Sequence, residues 1–203
     1  MRIGIDFDNT LVCYEDAFYR AARERDLIPA EVTPTKNGVR DWLRAAGRED
    51  DWTALQGYIY GARMDLAKPF PGVRDFMRAA ARAGCEINIV SHKTRYPYRG
   101  EKYNLHSAAL GWLDAQGFFA DKSLRLDRAH VHLELTKDGK LARIGALGCD
   151  SFIDDLPELL GEPAFPADTR RVLFDPNDAA PDDPAYARAR SWREISSLLL
   201  GAR

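Results

Sequence analysis

Cysteine is scarce in this chain. Cys13, Cys85 and Cys149 lie far apart, in an odd number and without the paired spacing of a zinc site. That excludes a disulfide framework and a structural zinc cluster, and it fits reduced, buried thiols in a cytoplasmic protein. Charge of one sign is also lacking: 29 Lys and Arg oppose 31 Asp and Glu, for a net charge of −2. Such a balance gives no bulk attraction to a nucleic-acid polymer or an anionic membrane, so an anionic ligand must be held by local charge. No apolar stretch approaches membrane-spanning length, and Arg2 and Asp6 interrupt the opening run too early for a secretory signal. Internal repeats and low-complexity segments are missing too. What remains is the composition of a soluble globule, 45% hydrophobic and 30% charged, sized for one large domain or a domain with a smaller appendage.

Five short apolar runs read as strands: "RIGID" (2–6), "CEINIVSH" (85–92), "AHVHLELT" (129–136), "CDSFIDD" (149–155) and "RRVLFDP" (170–176). The third is the most polar and so belongs nearer a sheet edge. Helical patterns fall between them, over 72–84, 104–117, 140–148 and 191–201, the first with Val73, Phe76, Met77 and Ala80 on one stripe. The Pro/Asp/Ala-rich piece 175–189 reads as a surface loop. Alternating strands and helices predict an α/β architecture, a parallel doubly wound sheet covered on both faces. Ligands of such sheets sit at the carboxyl ends of the strands. Asp6, Ser91, Asp154 and Asp155 all fall there.

Residues 14–68 break the alternation. They hold no convincing strand but three helical patterns, over 15–26, 36–47 and 51–65. The division predicted is therefore a core of 1–13 and 69–203 with a small helical insert of 14–68, standing over the rim as a lid.

A lone acid past a strand commonly caps the next helix. Asp6 and Asp8 resist that reading, because two carboxylates so close repel each other unless a cation or a shared proton intervenes. The strand is therefore expected to end at Asp6, with Asn9 and Thr10 supplying turn chemistry that swings Asp8 back toward the same cavity. Asp154 and Asp155 add to the crowding. A hard divalent cation with oxygen ligands, Mg²⁺ above all, resolves it.

These features together, "DFDNT" at 6–10, Ser91 after "INIV", a lysine ahead of the fourth strand and "FIDD" at 152–155, resemble the four ordered motifs of the haloacid dehalogenase (HAD) superfamily. The resemblance covers the whole core. It implies a HAD-like Rossmannoid sheet of five parallel strands in the order 5-4-1-2-3, helices on both faces, and an insert similar to C1-type caps. It further implies a Mg²⁺-dependent phosphatase. Asp6 would be the nucleophile that forms an aspartyl-phosphate, and Asp8 the general acid/base, its backbone carbonyl also on the metal. Ser91 would bond a phosphoryl oxygen, Asn9 and Thr10 would be further phosphate-binding residues, and Thr10 would help hold its loop. Of Asp154 and Asp155 one would ligate the metal directly, Asp155 being preferred. Lys137 is preferred as the site lysine, with Lys140 the alternative. Glu158 is either an outer acid of the metal site or a first-turn helix residue.

Substrate choice rests on weaker signals. "HKTRYPYRGEKYNLH" after Ser91 is either a solvated loop or a substrate-facing one in which His92, Lys93 or Arg95 meets a further polar group. Tyr14, Tyr58 or Tyr60 of the insert would stack a ring if it faced the rim, whereas Trp42 and Trp52 lie on apolar stripes and read as packing. His130 and His132 read as packing or hydrogen-bonding residues. The predicted substrate is a small phosphorylated metabolite, handled by a monomer or homodimer. The alternatives are a 5′(3′)-deoxyribonucleotidase-like enzyme, a phosphomutase, or a non-catalytic binding protein on this fold.

Overall fold

The structure, a computed structural model, describes residues 1–181 and 183–201. Asp182, within the segment read as a loop, lies outside the described residues. Six strands form the main sheet: β1 (Arg2–Ile5), β2 (Glu86–His92), β3 (Val131–Glu134), β4 (Ser151–Asp154), β5 (Arg170–Phe174) and β6 (Ala187–Ala189). Eight α-helices accompany them among the described residues: α1 (Glu15–Glu24), α2 (Lys36–Ala45), α3 (Glu49–Gly61), α4 (Val73–Arg82), α5 (Leu105–Ala115), α6 (Lys137–Ala146), α7 (Pro157–Leu160) and α8 (Trp192–Leu200).

The sheet runs β3-β2-β1-β4-β5-β6, and every pair in it is parallel. Its first five strands take the order the sequence implied, and the α/β class stands. The count is corrected from five to six. Ala187–Ala189 pairs with β5 inside the stretch read as surface loop. "ARA" has neither the β-branched residues nor the alternation that marks a strand, so only the neighbouring edge makes it one.

Leu173 and Phe174 show why both faces are covered. Adjacent strand residues point to opposite sides. Leu173 joins Val90 and Phe152 in a buried cluster with Leu141 and Ile144 of α6. Phe174 lies 5.6 Å, ring to ring, from Trp192 of α8, which in turn sits 5.1 Å from Phe76 of α4.

Contacts divide the chain into two units. The α/β unit comprises Met1–Val12, Pro69–Lys93 and Gly117–Arg203; the helical unit comprises Cys13–Lys68 and Thr94–Gln116. The helical unit thus contains, besides the predicted insert, a second segment with α5 that the sequence placed in the core. Its reason lies on α3, where Gly57 and Gly61 leave the space taken by Pro97 and Tyr103. Trp112 of α5 donates from Nε1 to the carbonyl of Ala67 at 3.1 Å. The centre of this unit is aromatic: Phe18 lies 4.9 Å from Trp52, and Tyr14 5.0 Å from Tyr60. Thr35 and Asn104 cap α2 and α5 through their side-chain oxygens.

Candidate active site

Register places the site's acids. Ile5 pairs with Ile153, so the next residues, Asp6 and Asp154, emerge side by side, and the N–H of Asp6 donates to the carbonyl of Ile153 at 2.9 Å. Ile5 also pairs with Ile89, which brings Ser91 to the same rim two residues on. Beyond Asp6 the chain turns: the N–H groups of Leu11 and Val12 both donate to the carbonyl of Phe7, at 3.2 and 2.9 Å. Asn9 takes the left-handed conformation, φ 58°, which asparagine adopts more readily than most side chains. β1 ends where the sequence required, and the turn returns Asp8 toward Asp6. The two carboxylates, Ser91, Lys140 and Asp155 all line one cavity of about 210 Å³.

The lysine assignment is corrected from Lys137 to Lys140. Lys140 is 2% exposed, with Nζ 2.5 Å from Asp6 Oδ1 and 2.6 Å from Asp154 Oδ2. Lys137 lies at the cavity wall but turns its ammonium to Glu162 in an exposed ion pair. Helix periodicity explains the outcome. Thr136 caps α6, accepting from Gly139, so Lys137 occupies the first turn, while Lys140 shares the inward face with Leu141 and Ile144. That stripe was the signal in the sequence: a lysine four residues before a buried isoleucine points inward with it.

Burial pushes the Asp6 carboxyl up from 3.8 to about 7; Lys140 opposes the rise, and Asp154 and Asp8 add to it. For Lys140, burial pulls downward, yet Asp154 and Asp6 outweigh it and hold the ammonium above the usual lysine range. A second lysine serves Asp8. Lys93 is 4% exposed, and its Nζ donates to Asp8 Oδ2 at 2.7 Å. The sequence left Lys93 on a stretch either solvated or substrate-facing; it is instead buried against Asp8.

Asp6, Asp154 and Asp155 each offer one oxygen, and these lie within 4.8 Å of one another. All-oxygen donors at that spacing fit a hard divalent ion. Asp154 is engaged on both oxygens, Oδ2 by Lys140 and Oδ1 by the N–H of Leu156 at 2.9 Å. Asp155 faces the cavity, its Oδ1 accepting from Thr10 Oγ1 at 3.3 Å. Asp6 and Asp155 are therefore the better placed ligands, with Asp154 orienting Lys140. Thr10 is corrected from phosphate binder to support: it is fully buried and orients Asp155, whereas Asn9 does line the cavity.

The remaining candidates separate. His92 is exposed and lines the cavity, as does Glu158 from the first turn of α7. Arg95 belongs to the helical unit. Tyr14 is corrected from ring-stacking candidate to core residue of that unit; it is buried, packed against Phe18 and Tyr60, with its hydroxyl directed at Met64 Sδ at 3.4 Å. Tyr58 carries the guanidinium of Arg25 at 4.5 Å from its ring centroid. His130 accepts through Nδ1 from the N–H of Asp127, consistent with a hydrogen-bonding rather than metal-binding part. No helix among the described residues is long and apolar enough to cross a membrane.

No protein-family model matches the sequence, and no curated protein matches it. Solved structures do match in fold. A HAD-family hydrolase from Deinococcus radiodurans R1 with bound phosphate and sodium is 19% identical, covering 98% of this chain and 94% of its own, with a TM-score of 0.56. A putative HAD hydrolase from Bacillus subtilis bound to magnesium is 15% identical, covering 98% and 97%, with a TM-score of 0.57. A predicted phosphoglycolate phosphatase from Haemophilus somnus 129pt is 16% identical, covering 97% and 96%, with a TM-score of 0.54. The chain has the fold of the HAD-superfamily hydrolases.

Proposed function

We propose that this protein is a Mg²⁺-dependent phosphomonoesterase acting on a small phosphorylated metabolite. One observation carries the reading: Asp6, Asp8, Ser91, Lys140 and Asp155, drawn from the ends of β1, β2 and β4 and the start of α6, line a single cavity. A purely binding protein of this fold has no use for a second carboxyl at position 8. The phosphate-bound and magnesium-bound neighbours support the same chemistry.

In this reading an Asp6 oxygen attacks phosphorus, the ester P–O bond breaks, and the leaving oxygen takes its proton from Asp8. Water then attacks the aspartyl-phosphate, Asp8 takes the water's proton, and Asp6 leaves as a carboxylate with inorganic phosphate released. Ser91 and Lys140 hold phosphoryl oxygens, Lys140 offsetting the charge that the dianion brings to an acidic cavity. Asp6, Asp155 and the Asp8 carbonyl would hold Mg²⁺, which when bound neutralises phosphoryl charge.

The test is turnover of p-nitrophenyl phosphate with Mg²⁺ and with EDTA. Activity should require Mg²⁺, fall below detection in Asp6→Asn, and drop by about 10²–10⁴-fold in Asp8→Asn. Robust hydrolysis by Asp6→Asn would remove the mechanism.

A further inference from the structure

Lys93 is a buried cation whose place the phosphatase reading does not explain. Strand periodicity carries it inward: Ser91 is buried, His92 exposed and Lys93 buried again, and the N–H of Lys93 donates to the carbonyl of Glu134 at 2.8 Å, fixing the backbone beside the end of β3. The side chain passes the Phe7 ring, with Nζ 5.5 Å from its centroid, and ends 2.7 Å from Asp8 Oδ2. Burying an ammonium is costly, and an apolar side chain of the same size would serve packing better. Asp8 meanwhile sits on a turn rather than a strand, next to the left-handed Asn9. Two lysines thus divide the acids. Lys140 takes Asp6 and Asp154, and Lys93 takes Asp8.

Resting on the reading that Asp8 handles the proton, we infer that Lys93 is its positioning residue: the ammonium fixes the Asp8 carboxyl at the orientation from which it meets the leaving oxygen. Lys93 then touches neither metal nor phosphorus. Its effect scales with how much the leaving group needs a proton, a dependence that a residue binding the substrate or merely supporting the fold does not produce.

The experiment compares the wild type with Lys93→Met, Lys93→Gln, Lys93→Arg, Asp8→Asn and the Lys93→Met/Asp8→Asn double variant, all with Mg²⁺. The probes are phenyl phosphate and p-nitrophenyl phosphate, similar in size but differing in leaving-group basicity. The readout is kcat/KM, which reports transfer to Asp6 apart from the later hydrolysis that both esters share. Lys93→Met should lower kcat/KM for phenyl phosphate by about 100-fold, the scale of a lost general acid, and for p-nitrophenyl phosphate by less than about tenfold. The double variant should be no slower than Asp8→Asn alone, since groups that act as a unit are not additive. Lys93→Arg should recover part of the loss. Equal losses on both esters, no loss on either, or losses that multiply in the double variant would overturn the inference. If melting shows Lys93→Met unfolded, Lys93→Gln takes its place in both comparisons. An inactive wild type would instead overturn the phosphatase reading itself.

Discussion

In the helical unit the deeply buried side chains are apolar or aromatic, Phe18, Leu43, Trp52, Leu55 and Ile59 among them, whereas the α/β unit buries Asp6, Ser91, Lys93, Lys140 and Asp154 as deeply. All the buried polar and charged side chains among the described residues belong to the α/β unit. The charges of the helical unit stay outside, in exposed pairs such as Arg44 with Glu49 and Arg63 with Glu24. Exposed pairs add little to stability, and buried ones are commonly matched or bettered by apolar packing. One unit is therefore built as packing alone. The other carries ions in its interior that stability does not call for, which is what a site requires.

That contrast can be broken in order of effect. Lys140→Met should be the most damaging change, since it leaves Asp6 and Asp154 facing each other without a cation: a loss of about 3–5 kcal/mol in denaturant unfolding, with the proposed phosphatase activity abolished. Lys137→Met, which removes only an exposed pair, should leave both measurements within error. If the two variants behave alike, the division between interior and surface lysines is wrong. Phe18→Ala, in the purely apolar unit, should cost about 3–5 kcal/mol through the cavity it opens, read as a lowered unfolding midpoint.

The smallest effect is on pH. In protein freed of divalent ions, the Asp6 carboxyl is raised from 3.8 to about 7 by burial. An acid so raised stabilises the fold fully below its unfolded value, and that contribution is lost as pH rises through about 7. Unfolding midpoints in EDTA should therefore decline between pH 4 and 7 more steeply for the wild type than for Asp6→Asn. Adding Mg²⁺, which favours the ionised carboxylates, should flatten the decline. A wild-type slope no steeper than that of Asp6→Asn would show that Asp6 is not held in this way.

Much of the α/β unit was legible because its strands announce their own ends. An apolar run that stops at Asp6, Ser91 or Asp154 fixes both the buried segment and the rim, and register then assembles the acids. The lysine was misread by one helical turn, since both candidates flank a helix start and only the inward stripe of Leu141 and Ile144 separates them. Lys93 was hidden in a run of cations that resembles a solvated loop, although counting by two from Ser91 leads to it. The second segment of the helical unit was not legible at all. Its placement depends on Gly57 and Gly61 meeting Pro97 and Tyr103, a match between distant surfaces that leaves no local periodicity. Tyr14 went the same way, its role set by Phe18, Tyr60 and Met64 rather than by its nearness to Asp8.

The three residues Ala187–Ala189 have a consequence of another kind. Without them β5 would end the sheet, and its Val172, Leu173 and Phe174 would offer open hydrogen-bonding groups along an apolar margin, the sort of template on which chains stack into insoluble aggregates. The added strand is short, and Arg188 at its centre puts a cation on the new boundary. At the opposite margin, β3 is four residues long and carries His132 and Glu134. Both borders of the sheet are thus brief and polar, a shape that disfavours pairing edge to edge.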